Sequence, residues 1–419
     1  MKGNKMKIIL SHPTGNANVR AISSKFASQK MLYRFYTSIA SYPGNFWYWL
    51  GGFTPFSELR RRTFDIALET YCDTFPWMDL GRTVVHKVGF SKLYEHEKGF
   101  FCVDSVYKVI DKRVAADLIK AKKNGVKAVY AYEDGALETF IKAKELGLIC
   151  IYDLPIAYWE TGRKLMQEEA QRLPDWAKTL GGGILDSEVK LDRKSRELEL
   201  ADVVIGPGSF VINSLPVWSA DKIKIVSPFG SPQNNSKKKI SNNNIDRPLR
   251  ILFVGSMGQR KGLGDLFAAI NLLKGEQIEL VVLGSLLAPI DFYYSQLATF
   301  THETGRSHEE VLKLMQSCDV FCLPSIVEGR ALVMQEAMSQ GLPIIITPNT
   351  GGEDLVIEGE TGFLVPIRSP NAIAEKIKWF VDNRDQVIEM GDKAAEHAEK
   401  YTWNNYSTTI TEELKKILK

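Results

Sequence analysis

Two glutamates, Glu328 and Glu336, stand seven residues apart in a segment whose pattern predicts strand, turn, helix and strand. If the helix begins just after Gly329, Glu328 lies at its mouth and Glu336 about two turns further in, at a rise of about 1.5 Å per residue. The first-turn N–H groups of such a helix stay free and point at whatever lies between the two acids. This arrangement suits a ligand with hydroxyls at both ends and a diphosphate in the middle, such as a sugar nucleotide.

A glycine-rich loop supplies charges of the opposite sign. The run Val254–Leu266 follows a predicted strand and opens a helix, and it carries Arg260 and Lys261. Cations beside a helix N-terminus favour anion binding. The glycine spacing fits neither the dinucleotide-binding nor the P-loop pattern, so it indicates a looser diphosphate clamp. Two solvated cations in a loop are the alternative interpretation.

The run Ser317–Pro366, including CDVFCLPS, EAMSQGLPIIIT and GETGFLV, resembles the E-x7-E region of the retaining family 4 glycosyltransferases in order and spacing. An ordinary strand–helix–strand unit with solvated glutamates is the alternative. The resemblance implies the α/β GT-B fold, in which two Rossmann-like domains with parallel sheets face an interdomain cleft. It also implies that Glu328 lies near the sugar hydroxyls and that Glu336 accepts hydrogen bonds from the ribose hydroxyls.

The resemblance extends to other positions and departs from the family at several. Lys261 matches the family's lysine, but Ser256 replaces its arginine, and the usual E-G-F-G turn reads E-G-R-A, with Arg330 either near the phosphates or acceptor or facing water. The implied catalytic residues are Lys261, Glu328 and Asp153. The implied donor-binding residues are Gly15, Ser256, Arg260, Lys261, Glu328, Gly329, Arg330, Ala331, Leu332 and Glu336.

The first half of the chain is expected to bind the acceptor. Its run His12–Arg20 follows the first strand at the carboxyl end, where open α/β sheets bind ligands. Gly15 stands where the family has a glycine-rich loop near the donor phosphate, and His12 is expected to be structural. Asp153 replaces a histidine found in many family members, and with the pair Glu133–Asp134 it is a candidate acceptor or sugar ligand.

Strand and helix patterns alternate in both halves, which indicates parallel sheets with both faces covered. We predict strands over Lys7–Leu10, Val126–Tyr132, Leu148–Leu154, Ala201–Pro207 and Lys222–Pro228 in the first half. A polar run rich in Asn, Ser and Lys then separates the halves. The predicted organisation is an acceptor-binding domain over residues 1–229, a linker over 230–248 and a donor-binding domain over 249–401. The resemblance implies that a last helix, about 402–419, packs back on the first domain.

Composition limits the class of protein. The chain has 419 residues, too many for one ordinary core. Its formal net charge of +3, from 53 basic and 50 acidic residues, argues against nucleic acid as a partner. The five cysteines form no C-x-x-C pair, which fits a reducing compartment. No run reaches the roughly 18 apolar residues of a membrane span, so we expect a cytoplasmic protein, with the inner face of the membrane as the alternative.

Two further expectations concern partners. The segment from about 42 to 62 places many aromatic residues ahead of three arginines, a mixture that suits anionic lipid headgroups. An aromatic insertion packed on its own domain is the alternative and is slightly favoured. No metal-ligand pattern stands at a strand end, so neither a metal nor another cofactor is expected.

The resemblance implies retaining transfer of a hexose from a nucleotide-diphosphate sugar to a hydroxyl of a glycan or lipid-linked acceptor. UDP-sugar is the first choice of donor and GDP-sugar the second. A sugar-nucleotide epimerase or phosphorylase would use the same cleft. A non-catalytic sugar-nucleotide-binding protein is the other alternative, because Ser256 and Asp153 depart from the family's pattern.

Overall fold

The computed structural model describes residues 6–231 and 247–418, so most of the predicted linker lies outside the described residues. Within these ranges the strands form two sheets, one of seven strands and one of six, and every pairing is parallel. The first contains β1 Lys7–Ser11, β2 Leu32–Thr37, β3 Cys72–Thr74, β4 Val126–Tyr132, β5 Ile149–Asp153, β6 Val203–Gly206 and β7 Ile223–Val226. The second contains β8 Leu249–Val254, β9 Ile278–Leu283, β10 Thr301–Glu303, β11 Val320–Leu323, β12 Ile344–Ile346 and β13 Gly362–Leu364. This confirms the predicted α/β class.

Helices connect these parallel strands and cover the sheets. The α-helices of the described residues are α1 Ala17–Ser28, α2 Phe46–Leu50, α3 Trp77–Val88, α4 Ser91–Tyr94, α5 Val103–Lys123, α6 Leu137–Glu145, α7 Trp159–Arg172, α8 Glu188–Leu200, α9 Ser209–Asn213, α10 Leu263–Leu272, α11 Ile290–Gln296, α12 His308–Gln316, α13 Leu332–Ser339, α14 Pro370–Asp382, α15 Gln386–Ala398 and α16 Trp403–Ile417. Short 3₁₀ helices include Thr54–Arg62, Pro174–Thr179 and Gln259–Lys261.

Each sheet reverses its strand order at one place. The first sheet runs β3-β2-β1-β4-β5-β6-β7, and the second runs β10-β9-β8-β11-β12-β13. The loops after β1 and β4 therefore diverge to opposite faces of the first sheet, as do those after β8 and β11 in the second. Ligands of open α/β sheets bind in the crevice that such divergent loops leave. The predicted donor residues of the second half lie in the loops after β8 and β11 or at the start of α13.

The predicted strands of the first half agree with the structure to within two residues at each end, but β2 and β3 were not predicted. Both lie on the side of β1 away from β4, with β2 next to β1 and β3 at the sheet edge. The predicted start of the helix after Gly329 is wrong. That helix, α13, begins at Leu332, so Glu336 lies little more than one turn inside it.

The two halves share contacts beyond the chain connection. The last helix α16 packs against α1, and its Tyr406, Ile410 and Leu414 belong to the first sheet's core. In the other direction, Trp176 of the 3₁₀ helix Pro174–Thr179 is buried in the second sheet's core, against Phe267 of α10. No helix of the described residues has the length and apolar character needed to cross a membrane.

Candidate functional site

The loops after β8 and β11 are packed tightly together. The carbonyl of Arg260 accepts hydrogen bonds from the backbone of Ile326 at 2.9 Å and of Val327 at 3.3 Å. Gly262 has φ +73°, and a Cβ there would lie 2.0 Å from the carbonyl oxygen of Pro324. Only glycine fits this left-handed turn at such close approach. The sequence thus brings two loops, more than sixty residues apart, into one rigid pair.

Three charged side chains from these loops meet at one carboxylate oxygen. Arg260 donates from Nη1 to Oε2 of Glu328 at 3.0 Å, and Lys261 donates from Nζ to the same oxygen. Burial alone would raise the pKa of Glu328, but the charges of Lys261 and Arg260 outweigh it and lower that pKa. Burial lowers the pKa of Lys261, with Glu328 opposing the shift. Two cations sharing one carboxylate leave one positive charge uncompensated, which favours an anionic ligand.

The mouth of α13 lies against the first half of the protein. A Cβ on Gly329 would fall 1.8 Å from the carbonyl oxygen of Pro155, in the loop that follows β5. Ala331 is the buried residue before the helix and provides no side-chain cap, so the first-turn N–H groups have no capping side chain. Leu332 packs against the core of the first sheet. Both halves therefore close around this helix start.

Glu336 faces a different neighbour. Its Oε1 lies 3.9 Å from Nδ1 of His308 on α12, and burial raises its pKa, with the nearby histidine opposing the shift. The carboxylate is about 20% exposed, while that histidine is largely in solvent. Among the described residues, no other ion pair involves Glu336, so its acceptor capacity remains open to a ligand hydroxyl.

Arg330 does not face water, and that alternative is wrong. Its side chain is 0% exposed and forms a two-pronged ion pair with Asp354 at 2.6 and 3.1 Å. Nε donates to Gln335 at 2.7 Å, and the guanidinium lies 5.0 Å from the ring centre of Tyr401. The arginine thus fixes the turn at the start of α13 to the segment carrying Asp354.

Asp153 ends β5 inside the first sheet's core. Its Oδ2 accepts hydrogen bonds from the hydroxyl of Tyr130 at 2.5 Å and of Tyr406 at 3.4 Å. Burial raises its pKa to about 7, opposed by the tyrosine hydrogen bonds. With 1% exposure, the side chain has no direct access to a ligand in this state. It instead links β4, β5 and the returning helix α16.

Gly15 and His12 shape the loop after β1. Nδ1 of His12 accepts hydrogen bonds from the backbone N–H of Thr14 at 3.0 Å and of Gly15 at 3.1 Å. Burial and the nearby charge of Arg62 lower the pKa of His12 to about 3. A Cβ on Gly15, whose φ is +63°, would overlap the ring of Phe64 at 2.1 Å. The neutral histidine therefore organises the loop, as expected of a structural residue.

A cavity of about 380 Å³ separates the two halves. Ser256 and Arg260 line it from the second half, and Glu133 and Lys194 line it from the first. The ammonium of Lys194 lies 3.5 Å from Oε1 of Glu133, an oxygen without a hydrogen-bond partner among the described atoms. Burial raises the pKa of Glu133 to about 6, opposed by Lys194. Of the candidates in the first half, Glu133 is the acid that lines this cavity.

Sequence reasoning missed a buried network that joins the halves. Glu169 of α7 is 0% exposed and accepts hydrogen bonds from Gln259, Arg172 and Arg368. Gln259 also donates to Asp265 at 2.9 Å and accepts from the first-turn N–H of Gly264 at 3.0 Å. The residue next to Arg260 thus ties the cationic loop to α7. Its position within the glycine-rich run Val254–Leu266 is the one available sequence signal.

One group of possible metal ligands occurs among the described residues. It consists of His96, Glu97 and Asp186, whose ligand atoms lie within 4.8 Å of one another. Asp186 is already paired with Lys190 at 3.3 Å and with Lys194 at 3.5 Å. These ammonium groups compete with a cation for the same oxygens, so the group is a poor metal site.

Residues 234–401 match the family described as glycosyl transferases group 1. Curated relatives include a D-inositol 3-phosphate glycosyltransferase of Corynebacterium glutamicum, 29% identical over 204 residues. That match covers 44% of this chain and 49% of the relative. The sulfoquinovosyl transferase of Arabidopsis thaliana is 28% identical over 217 residues, covering 50% of this chain and 41% of the relative. The chain thus spans about half the length, or less, of these curated relatives.

Similarity to solved structures extends over nearly the whole chain. Sucrose-phosphate synthase of Thermosynechococcus elongatus matches with a TM-score of 0.64 at 18% identity, covering 98% of this chain and 99% of that one. The Anabaena protein HepE, solved with UDP and glucose, matches with a TM-score of 0.59 at 14% identity, covering 98% and 99%. At such identities the likeness concerns the fold. The chain therefore has the GT-B fold, and its residues 234–401 match the group 1 glycosyl transferases.

Proposed function

We propose that this protein transfers a hexose from a nucleotide-diphosphate sugar to a hydroxyl of a glycan or lipid-linked acceptor, with retention of anomeric configuration. One observation carries the proposal. Arg260 and Lys261 converge on Glu328 where the loops after β8 and β11 meet, next to the uncapped start of α13. Such a group of donors fits a diphosphate, because the sharing of one carboxylate leaves net positive charge.

In this proposal the donor lies across the mouth of α13. Lys261, with Arg260, faces the diphosphate and stabilises the charge that grows on it as the sugar leaves. Electrostatic stabilisation of that kind is usually the largest contribution to catalysis. Glu328 orients the two cations and accepts from sugar hydroxyls, while Glu336 accepts from the ribose. Gly329 belongs to this donor site through its backbone, and its lack of a Cβ lets the carbonyl of Pro155 pack against it at the mouth of α13.

For retention we propose a front-face displacement, as the resemblance to the family 4 enzymes implies. The acceptor oxygen attacks from the same face as the departing diphosphate, whose oxygen takes the acceptor's proton as the C–O bond breaks. Asp153 is enclosed by tyrosines, so it acts on the site by holding the loop that ends at Pro155 against Gly329. It is a positioning residue in this scheme and not the general base.

UDP-sugar is the preferred donor and GDP-sugar the second choice. The Anabaena neighbour was solved with UDP, with UDP and glucose, and with UDP-glucose, which supports the first choice through the shared fold. We place the activity in the cytoplasm, at the inner face of the membrane when the acceptor is lipid-linked, and no metal is required. The predicted domain limits, 1–229 and 249–401 with the helix about 402–419 returning, frame this proposal.

The decisive experiment has two stages. A thermal-shift panel with UDP, GDP, ADP and their sugars identifies the donor, because a ligand that binds only the folded state raises the melting temperature. The matching sugar nucleotide is then incubated with and without hydroxyl acceptors, and the anomeric configuration of the product is read by NMR. Epimerised donor without an acceptor, sugar phosphate formed from inorganic phosphate, an inverted product, or donor binding with no turnover would each overturn the proposal.

A further inference from the structure

The segment between residues 46 and 103 presents an unusual surface. Nearly half of the exposed large apolar side chains among the described residues lie in this stretch. Soluble proteins rarely expose contiguous apolar area of this kind unless it binds something. The surface is not part of the cleft, and the donor site described above leaves it unexplained.

Helix α3 carries an apolar stripe that faces solvent. Trp77, Val84 and Val88 are spaced by seven and eleven residues, which places the two valines within about 20° of the direction of Trp77 at 3.6 residues per turn. Their exposed fractions are 68%, 52% and 61%. On the opposite side of the same helix, Asp79 is buried, and Val85 is buried at about 80° from the direction of Trp77. The helix therefore exposes an apolar stripe to solvent in addition to the residues it buries.

A second exposed group lies on α2 and the residue that precedes the 3₁₀ helix Thr54–Arg62. Phe46 and Trp49 are 61% and 62% exposed, and Phe53 stacks edge-on against Trp49 with ring centres 4.9 Å apart. These three side chains are therefore not buried against the rest of the domain.

The two groups belong to one part of the surface. The ammonium of Lys87 on α3 lies 5.8 Å from the ring centre of Phe56, and Arg62 pairs with Asp79 at 3.0 Å. Phe56 and Val84 also line one small cavity between these elements. We call the exposed side chains of residues 46–62 and 77–94 the aromatic-basic surface.

Charge identifies what this surface binds. Its elements contain six basic residues and two acidic residues, a formal net charge of +4, whereas the whole chain carries +3. Tryptophan and phenylalanine beside arginine and lysine match the boundary between acyl chains and anionic headgroups. A second copy of the same surface would be repelled by the same positive charge. We propose that the aromatic-basic surface binds the protein to an anionic lipid bilayer.

One hydrogen bond links the aromatic-basic surface to a loop at the cleft. Nη1 of Arg62 donates to the carbonyl of Pro13 at 3.4 Å, in the loop after β1 that His12 organises. A bilayer under α2 and α3 would thus lie on the acceptor side of the cleft and not beside the loop of Lys261. The inference does not rest on glycosyl transfer, since binding to lipid can be measured without a donor or acceptor.

The test is sedimentation of the full chain with vesicles of phosphatidylcholine alone and of phosphatidylcholine mixed with phosphatidylglycerol. We expect binding to the anionic vesicles that weakens as salt is raised. The double variant Trp77→Ser/Val88→Ser should lose at least tenfold in vesicle affinity, and Arg61→Glu/Lys92→Glu should lose it for the anionic vesicles. The matched control is Val217→Ser/Trp218→Ser, which removes exposed apolar side chains at another site, 92% and 47% exposed.

Because the substituted side chains are exposed, all variants should melt near the wild-type temperature, and melting is recorded for each. Equal vesicle binding by wild type and the Trp77→Ser/Val88→Ser variant would overturn the inference. So would an equal loss in the Val217→Ser/Trp218→Ser control. A dimeric wild type that becomes monomeric in the Trp77→Ser/Val88→Ser variant, without any vesicle binding, would assign the surface to a second copy instead.

Discussion

The two sides of the cleft differ in the sign of the charge they leave uncompensated. On the second half, Arg260 and Lys261 share the single carboxylate of Glu328. On the first half, carboxylates outnumber cations in a cluster around the end of β4 and along α8, of which Glu133, Asp186 and Lys194 line the cavity; the acids are Asp104, Glu133, Asp134, Asp186 and Glu197, and the bases are Lys190, Arg193 and Lys194. Under the proposed function, the second half attracts a diphosphate, and the first half disfavours anions while accepting hydrogen bonds from hydroxyl groups.

The raised pKa values of the first half have the same origin. Burial raises the pKa of Glu197 to about 8, reinforced by the charge of Asp134, and that of Glu133 to about 6. Excess carboxylates in a buried cluster are accommodated in part by protonation. A donor that entered the cleft in the wrong orientation would place its phosphates against this cluster. Under the proposed function, this difference in charge orients the donor as well as holding it.

The largest expected effect concerns the junction between the two sides. Glu169→Ala removes the buried carboxylate that accepts hydrogen bonds from Arg172, Arg368 and Gln259, and each charge-assisted hydrogen bond lost typically costs about 1.5–3 kcal/mol. Its neighbour Glu168 is 39% exposed and pairs with the same Arg368 at 2.9 Å, so Glu168→Ala should cost no more than about 1 kcal/mol. Urea unfolding of both variants measures the difference. Similar costs would mean that the junction is not a shared structural element.

Removing the lysine of the cationic side comes next. Lys261→Ala should lower kcat by about 10²–10³-fold, the range found when one preorganised donor to a developing charge is lost. Lys274→Ala, an exposed lysine in the same half, is the control and should leave turnover unchanged. Steady-state kinetics with the donor identified by thermal shift gives the ratio. A Lys261→Ala enzyme of full activity would remove the basis for the contrast between the two sides.

The uncompensated positive charge of the second half can be tested at Glu328. Glu328→Gln removes the carboxylate that compensates Arg260 and Lys261, so free UDP should bind on the order of tenfold more tightly, since about 1.4 kcal/mol of lost charge compensation is a tenfold change in affinity. Turnover should fall at the same time, because the cations lose their orientation. Calorimetry with UDP and kinetics with the sugar nucleotide separate the two effects. Weaker UDP binding in this variant would show that the carboxylate does not oppose the anion.

The segments proposed to bind the donor could be located from the sequence because their patterns are local. Glu328 and Lys261 each lie within a few residues of a strand end, and short-range spacing identified both segments. The spacing of residues could not predict the ion pair between Lys261 and Glu328, because the two stand 67 positions apart. The same limit explains the loop around Arg330, whose partner Asp354 is reached only when the turn and a later 3₁₀ helix are folded together.

The acceptor side was less predictable because its key contacts are long-range. One of the two hydroxyls bonded to Asp153 belongs to Tyr406, 253 positions away, and Glu169 meets Arg368 across 199 positions. From the sequence alone, an aspartate at a strand end is expected to be accessible to a ligand. Only the folded position of α16 shows that Asp153 is covered. The strands β2 and β3 were also missed. For β3 the reason is its length, because three residues are too few for a periodic pattern.

The smallest effect is a pH dependence at Asp153. Burial raises its pKa to about 7, so between about pH 4 and pH 7 the folded protein holds a proton there that the unfolded chain has released. The free energy of unfolding contributed by this residue therefore falls as the pH rises through that window, and stays flat above it. Asp153→Asn retains an oxygen acceptor for Tyr130 and Tyr406 and should abolish this part of the slope. Glu133 and Glu197 titrate in the same direction in both proteins, so the informative quantity is the difference in melting temperature, wild type minus Asp153→Asn, followed from pH 5 to pH 8. A constant difference would mean that Asp153 stays ionised beside the tyrosines. The interior of the first half would then be more accessible to water than the raised pKa of Asp153 implies.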